Sequence, residues 1–366
     1  MPKLNFAGEF GSTAKGSPSG ARVDVDQFSH GHSDTITVSD PYLLFSGDYK
    51  RSGPDLILSK DGREQVVTDY FKGEHRAALA SPDGARLSGD LVNALTGHVQ
   101  YAQASGAADV GKVIGHVTKL AGNATVIRNG VSIVLNMGDN VHKGDVVQAG
   151  SNSSLGITFI DGTVFGLGSN ARMVLNEMIY DPNGSSNSSF LSLVQGTITF
   201  VAGQTAKHGD MKIDTPVATM GIRGTACLVD ISFDVPVADP ANSFAIKSIP
   251  VKFQVLQEAD GSIGSYLLFA KTDLTFSNPI ATINRVGEVT AFNANGLITV
   301  SQVTQIAPEV KAIIDQTMKL YYPNYNPTPN PSTTSHSPSA IAATAAAISA
   351  IWRRPLTHNP TISSAG

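Results

Sequence analysis

The sequence predicts an all-β protein: a compact antiparallel β-sandwich or roll, or a short β-solenoid, preceded by a small β-rich unit and flanked by disordered ends. Short runs of β-branched and aromatic residues recur about every 8–12 positions through the middle of the chain. Asp-Gly and Asn-Gly turn signals separate these runs, and the intervals leave no room for the helices that connect parallel strands. Glycine and proline are frequent, at 35 and 19 of 366 residues, which favours turns over long helices.

The N-terminal quarter of the chain divides into three parts. Residues 1–34 are rich in glycine and serine and poor in large side chains, so we expect a disordered leader. Residues 35–97 predict the small β-rich unit, in which DLILSKDGREQVV has the pattern of a hairpin, because Asp61-Gly62 suits a tight turn. The stretch SGDLVNALTG is compatible with one short helix, and residues 98–111 are small and polar, as in a linker.

The clearest β pattern lies in residues 112–232, which form the main domain of the prediction. In SLGITF every second residue is apolar, which places these side chains on one face of a strand. Residues 233–320 predict a β-rich extension that ends in a helix over residues 307–320. Residues 321–366 are rich in proline, serine and alanine, so we expect a disordered tail.

Composition and charge argue against several classes of function. The net charge of −4 gives no positive excess with which to neutralise phosphates, so we expect no nucleic-acid partner. The longest apolar stretch, residues 340–352, would extend about 20 Å as a helix, short of the ~30 Å that a membrane core requires. We therefore expect no membrane span. No apolar run follows a basic start in the first 30 residues, so no Sec signal peptide is expected either.

One glycine-rich stretch imitates a cofactor motif. Residues 165–171, FGLGSNA, match G-x-G-x-x-A, but a dinucleotide fingerprint also needs a helix after the glycines and a βαβ context. Neither is present in the pattern around it. Glycines at the bends of a tight β-roll explain the stretch better, so we expect no cofactor.

Four aspartates are candidates for catalytic carboxylates or calcium ligands: Asp139, Asp145, Asp161 and Asp210. Each lies beside a glycine in a turn-like sequence, where an aspartate caps its own backbone. No acidic residue is spaced so as to require a second one nearby. A structural role in turns is therefore favoured over a role in catalysis or metal binding.

The remaining reactive side chains do not form a catalytic pattern. His30 and His32 could ligate a metal, but two ligands on a flexible tail make a poor site. Cys227, the single cysteine, rules out an internal disulfide, and its alternating strand pattern indicates a small buried hydrophobic residue. The sequence contains no HExxH, GxSxG or P-loop motif. We therefore predict no enzyme and no metal site.

A series of ordered landmarks in the main domain resembles the FecR-type domain. These are Gly144-Asp145, Asp161-Gly162-Thr163, Gln195-Gly196 and the stretch TPVATMGIRGT over residues 215–225. The similarity covers roughly a third of the chain. It implies a β-domain of the kind found in envelope regulators, which relay iron-transport signals and act as anti-sigma factors. The sequence has no pattern that matches the cytoplasmic helical segment or the transmembrane helix of those regulators, so we expect neither here.

The last landmark supplies the candidate structural or partner-binding residues. They are Thr215, Pro216, Gly221, Arg223, Gly224 and Thr225. Arg223 is the charged residue among them, and its guanidinium could either bond backbone carbonyls at a turn or bind a carboxylate or phosphate of a ligand. The flanking glycines favour the structural role, because they indicate a crowded backbone.

A second resemblance concerns the unit that precedes the main domain. The segment from LFSGDYKRSG to LVNALTG is similar to the front end of large type I-secreted surface proteins, or adhesins, of alphaproteobacteria. In such proteins, N-terminal modules precede long repeat arrays and lack a cleaved signal peptide. No GGxGxD calcium repeat occurs in this sequence. This resemblance implies an extracellular or cell-surface location, with the periplasm and cytoplasm left open.

Together, the two resemblances predict a non-catalytic FecR-type interaction or assembly module of a secreted or cell-surface bacterial protein. A protein partner at the envelope is expected, and the sequence does not identify a small-molecule ligand. The alternative is an envelope signal-sensing module, a FecR-like regulator of iron-transport or sigma-factor signalling. Polysaccharide binding is a weaker alternative.

Overall fold

Strands predominate in the computed structural model, which confirms the all-β prediction. The structure describes residues 21–24, 35–73, 75–97, 111–207, 210–224, 226–231, 251–286, 288–292, 298–302 and 306–327. All of these lie in one contact unit, Met1–Thr328, and the second unit, Pro329–Gly366, lies outside the described residues. Most of the predicted linker, leader and tail lies outside them too.

The elements are numbered along the chain. The first strands and helices are β1 (Ala21–Asp24), β2 (Thr35–Thr37), α1 (Pro41–Ser46), β3 (Asp48–Ser52), β4 (Asp55–Lys60), β5 (Arg63–Thr68), β6 (Ala78–Ala80), β7 (Arg86–Leu87) and α2 (Gly89–Leu95). The next are β8 (Val113–Ala121), β9 (Ala124–Arg128), β10 (Val131–Val134), β11 (Asn140–His142), β12 (Val146–Ala149), β13 (Ser154–Phe159), β14 (Val164–Leu167), β15 (Arg172–Ile179) and β16 (Ser188–Val201). The last are α3 (Gln204–Lys207), β17 (Met211–Asp214), β18 (Ala218–Arg223), β19 (Ala226–Ile231), β20 (Val251–Leu256), β21 (Ser265–Ala270), β22 (Ala281–Ile283), β23 (Glu288–Phe292), β24 (Ile298–Gln302) and α4 (Pro308–Tyr321).

Two open sheets build the main domain. In the described strands the first sheet has the order β11-β8-β13-β14-β16-β19-β20-β23-β24. The second has the order β10-β9-β12-β15-β16-β17-β18-β21-β22. Neighbouring strands are antiparallel apart from the parallel pair β16 and β17. This is the predicted antiparallel sandwich or roll.

The long strand β16 belongs to both sheets. Its first part pairs with β15 and β17 in the second sheet, and its last part pairs with β14 and β19 in the first. Gly196 lies where the partners change and has a φ of +83°, and a Cβ there would come within 2.5 Å of the Ala171 Cα. A glycine is therefore required at this position, which explains the Gln195-Gly196 landmark.

The main core lies between the two sheets. Phe165 and Phe200 of the first sheet stack with ring centroids 5.0 Å apart. Phe253 of the first sheet approaches Tyr266 of the second at 6.1 Å. All four side chains are fully buried. Such aromatic side chains bury large apolar areas, and the Phe253–Tyr266 pair joins the two sheets.

Residues 35–97 form a small subdomain that packs against the main domain. Its strands, together with β1 from the preceding segment, make two sheets, in the orders β1-β5-β4-β3 and β2-β6-β7. The hairpin of β4 and β5 is confirmed, with Asp61 and Gly62 at φ values of 48° and 76°. The short helix is also confirmed as α2, whose N-terminus is capped by the Ser88 hydroxyl. The strand β1 falls within the predicted disordered leader, but it pairs in parallel with the edge of β5.

The predicted C-terminal helix is confirmed as α4, which packs on the outer side of the first sheet. It buries Ile314 and Met318 in a second, smaller apolar cluster, and its Ile313 is buried as well. The strand glycines Gly156 and Gly166 lie directly under it, and a Cβ on Gly166 would meet the Thr317 Oγ1 and the Ile313 Cγ2. The glycines of FGLG therefore leave room for a helix. The prediction that they mark bends is wrong, because Gly166 lies inside β14.

Candidate functional site

The motif over residues 215–225 includes the turn between β17 and β18 and the whole of β18. Thr215 is buried and forms hydrogen bonds to Ala218, including 2.7 Å from its Oγ1 to the Ala218 carbonyl. The Pro216 carbonyl accepts a hydrogen bond of 2.9 Å from the Arg86 N–H of β7. Gly221 lies under the Phe269 ring. Thr215, Pro216 and Gly221 therefore make turn, backbone and packing contacts within the protein, and Pro216 joins the motif to the N-terminal subdomain.

The C-terminal end of β18, at Arg223 and Gly224, is more exposed than the rest of the motif. The Arg223 side chain is exposed, and Gly224 has a φ of +50° at the end of the strand. This exposure does not fit the predicted role of Arg223, in which its guanidinium would satisfy buried carbonyls. Thr225 lies outside the described residues. The candidate residues therefore lie at opposite ends of one strand and do not form a single site.

A buried arginine does bond backbone, but at a position that the sequence analysis missed. Arg172 in β15 is 4% exposed. Its Nη1 donates a hydrogen bond of 2.7 Å to the Gly47 carbonyl at the end of α1, and its Nε donates one of 3.1 Å to the Gln148 Oε1. Its pKa is lowered by burial. Arg172 thus fastens the N-terminal subdomain to the second sheet. The sequence did contain a signal for this role, because Arg172 is a single charged residue within the apolar run ARMVL.

The Asp161 carboxylate confirms the prediction of a structural turn. It accepts hydrogen bonds of 2.9 Å from both the N–H and the Oγ1 of Thr163. The Thr163 Oγ1 in turn accepts the N–H of Gly203 at 2.9 Å. These contacts explain the spacing Asp161-Gly162-Thr163. Asp161 and Thr163 are both buried, and their polar groups are hydrogen-bonded by their neighbours.

The Asp145 carboxylate is the centre of a second buried network. It accepts hydrogen bonds from the Arg128 Nε at 2.8 Å, from the Arg128 Nη2 at 2.6 Å and from the His142 N–H at 2.8 Å. Of the other aspartates, Asp139 accepts the Asn136 N–H at 2.7 Å and so also caps a turn. Asp210 is exposed, and its carbonyl accepts the Ser189 N–H at 3.1 Å.

The remaining candidates from the sequence are Cys227, His30 and His32. Cys227 is fully buried, as predicted, and burial raises its thiol pKa well above the usual value. His30 and His32 lie outside the described residues. Within the described ranges no three His, Cys, Asp or Glu side chains are placed to hold a metal ion. No helix in this part of the chain is both long and apolar enough to cross a membrane.

His142 makes the stability of this network sensitive to pH. Burial and the nearby Arg128 charge lower the pKa of the imidazole, while Asp145 opposes them. The unfolded chain therefore binds a proton near pH 6.5 while the folded chain still resists it. We expect the free energy of unfolding to fall between pH 7 and pH 5, and His142→Gln to reduce this slope in urea unfolding. The same change at the exposed His116 serves as the control, and an equal effect of the two would contradict the prediction.

A cleft of about 860 Å³ lies between the N-terminal subdomain and the second sheet. We call it the interface cleft. Its walls come from β7 and α2 on one side and from β15 to β18, β21 and the following loop on the other. Its charged and amide residues are Arg86, Asp90, Asn93, Asn176, Asp214, Lys271 and Asp273.

One wall of the interface cleft is built around a close ion pair. The Lys271 Nζ lies 2.6 Å and 2.7 Å from the two carboxylate oxygens of Asp214. The Thr219 hydroxyl, from the centre of the TPVATMGIRGT motif, donates a 2.7 Å hydrogen bond to the same carboxylate. Both charged side chains are largely buried. The motif strand therefore contributes to the cleft through Thr219, a residue that the sequence analysis did not select.

A comparison with known families matches part of the sequence that builds this wall. Residues 145–237 match the FecR protein family. The chain carries a FecR-type domain. The matched region begins at Asp145 and covers β12 to β19, so the FecR-type domain contributes the central strands of both sheets. It also includes Asp214 and Thr219 of the interface cleft.

Solved structures resemble the chain weakly. Two structures of a candidate anti-sigma factor from Parabacteroides distasonis share 12% identity with it, and the similarity covers 57% of this chain and 91% of theirs. Their TM-scores are 0.30 and 0.29. A cell surface anchoring domain shares 40% identity over 17% of this chain and 83% of its own, with a TM-score of 0.17. No curated protein matches the chain.

Proposed function

We propose that this protein is a non-catalytic module of the bacterial envelope that senses a signal through its FecR-type domain and relays it by binding another protein. The match of residues 145–237 to the FecR family carries this proposal. It supports signal sensing over the surface-assembly module that the sequence analysis placed first. In both functions the chain binds a protein partner, and they differ in whether binding changes gene expression.

The geometry supports a relay because the FecR-type domain and the N-terminal subdomain share one buried apolar core, and hydrogen bonds to two backbone carbonyls also join them. The Arg86 N–H bonds the Pro216 carbonyl, and the Arg172 guanidinium bonds the Gly47 carbonyl. The interface cleft opens between the same two parts. A partner that binds in the cleft therefore contacts both, and it can stabilise one arrangement of them by its differential affinity.

The proposal is tested by deleting the gene in the producing bacterium and measuring all transcripts under iron-replete and iron-limited growth. We expect a defined group of envelope or transport genes to lose its response to iron limitation. A plasmid copy of the wild-type chain should restore that response. Unchanged transcripts, together with a loss of cell adhesion or of surface assembly, would contradict signalling and favour the surface-assembly function. A neighbouring sigma-factor gene would support signalling, and a neighbouring type I transporter gene would support surface assembly.

A further inference from the structure

We propose that the strand β10 pairs with the β10 of a second copy of this chain, in an antiparallel dimer with two-fold symmetry. The inference goes beyond the proposed function, since none of the β10 residues lines the interface cleft, and either can fail without the other. Three observations carry it: outward-facing backbone groups on β10, an exposed and uncharged set of side chains, and a sequence that matches its own copy.

Part of the backbone of β10 faces away from its sheet. β10 is an outer strand of the second sheet, and among the described strands it pairs with β9 alone. A two-residue turn joins β9 to β10, and in such a hairpin the residues beside the turn exchange hydrogen bonds. Val131 and Ile133 therefore direct their N–H and C=O groups to β9, and the Leu135 N–H continues the series with a 2.9 Å bond to a β9 carbonyl. The N–H and C=O groups of Ser132 and Val134 consequently point outward.

The apolar side chains of β10 are exposed. The exposed fractions are 59% for Val131, 41% for Ile133 and 64% for Val134. Ile133 lies opposite the buried Val126 of β9, so Val131 and Ile133 are on the core-facing side of the second sheet, yet both remain exposed. The chain carries no charged residue from position 129 to position 138. This edge therefore presents apolar surface that a paired strand would cover.

The outer strand β3 of the subdomain has a protection that β10 lacks. Charged side chains commonly prevent edge-to-edge pairing, and β3 carries Asp48, Lys50 and Arg51 among its five residues. β10 has no charged residue, no proline and no register shift against β9. Pairing of β10 with β3 would place those charges beside apolar residues, and this head-to-tail contact would not close into a dimer. Pairing of β10 with its own copy closes a dimer and brings no charge to the contact, which favours a second copy as the occupant.

A two-fold axis at Ile133 gives this pairing a definite register. Opposite residues of an antiparallel pair lie on the same side of the sheet, so the axis passes between two copies of one residue. With the axis at Ile133, Ser132 of each copy lies opposite Val134 of the other, and their outward N–H and C=O groups exchange hydrogen bonds. The two Ile133 side chains meet in the closer pair, which has no hydrogen bonds, and both lose contact with water. The register thus uses all the outward groups of β10.

The test measures the mass of the full chain by sedimentation velocity over about a hundredfold range of protein concentration. We expect a reversible shift from monomer to dimer. Ile133→Lys should weaken the dimer by about tenfold or more, because it places two like charges opposite each other. Ile263→Lys is the matched control, since Ile263 lies outside β10 and is 49% exposed, close to the 41% of Ile133. This control should leave the dimer unchanged.

Two further measurements test the register. Ile133→Glu should also weaken the dimer of its own chain, whereas an equimolar mixture of Ile133→Lys and Ile133→Glu should dimerise again, because Lys then faces Glu across the axis. Hydrogen exchange of the wild-type chain needs no variant. The outward amide groups of Ser132 and Val134 should exchange more slowly as the protein concentration rises and the dimer forms.

Four results would overturn the inference. A wild-type chain that stays monomeric over the whole range would mean that another segment or another protein covers β10. Equal effects of Ile133→Lys and Ile263→Lys would place the contact elsewhere, as would a dimer that leaves the exchange of Ser132 and Val134 unchanged. A mixture of the two charge variants that stays monomeric, although thermal unfolding shows both to be folded, would refute the two-fold register.

Discussion

The Arg172→Ala variant is expected to lose about 3–5 kcal/mol of its free energy of unfolding. The substitution leaves two acceptors without their donor, the Gly47 carbonyl and the Gln148 Oε1. The nearby Asp48 adds little, because its side chain is 83% exposed and its oxygen lies 3.7 Å from the Arg172 Nη2. The loss therefore comes mainly from buried hydrogen bonds between the subdomain and the second sheet. Arg172→Lys should recover little of it, since an ammonium cannot reproduce the planar fork.

Arg223→Ala is the matched control for this prediction. It removes the same side chain from an exposed position on the neighbouring part of the FecR-type domain, so we expect a change within about 0.5 kcal/mol. Urea unfolding followed by circular dichroism measures both variants under the same conditions. Equal stability losses in the two would refute the assignment of Arg172 as the structural arginine.

The Gly166→Val variant is expected to lose about 2–3 kcal/mol and to release α4 from the first sheet. The Cβ of the new valine would overlap the Thr317 Oγ1. It would also lie 3.0 Å from the Ile313 Cγ2. A β-branched residue otherwise suits a strand, so the loss reports the helix contact and not strand propensity. Released α4 should become sensitive to trypsin at Lys311 and Lys319, which mass spectrometry of the fragments can follow.

A double-mutant cycle tests the cause of this loss. Gly166→Ala introduces the Cβ alone, and Thr317→Ala removes the hydroxyl that it would meet. We expect the double variant to be more stable than the sum of the two single losses predicts, because the clash is absent when both changes are present. The prediction would be contradicted if the stability losses of the two single variants simply added and α4 stayed resistant to trypsin. The packing of α4 would then not depend on a glycine at position 166.

Local patterns in the sequence were enough to predict much of the fold. The hairpin at Asp61-Gly62, the helices α2 and α4 and the turn of Asp161 all depend on residues close together in the chain. A positive φ, an N-cap or an aspartate that bonds its own turn leaves a signal within a few positions. The ordered FecR landmarks are of the same kind, since Asp145, Asp161 and Gly196 each satisfy a local backbone requirement.

The roles that depend on distant partners could not be predicted in this way. The sequence alone determined the all-β class, its turns and its FecR-type landmarks, because each follows from nearby residues. The tertiary structure decided that Arg172 and not Arg223 is buried, since the Gly47 carbonyl that Arg172 binds lies 125 residues earlier. It also decided that the Gly166 backbone faces a helix about 150 residues later in the chain, and that Arg86 and Asn176 line one cleft. Pairing between the sheets brings these residues together, and no local pattern encodes that pairing.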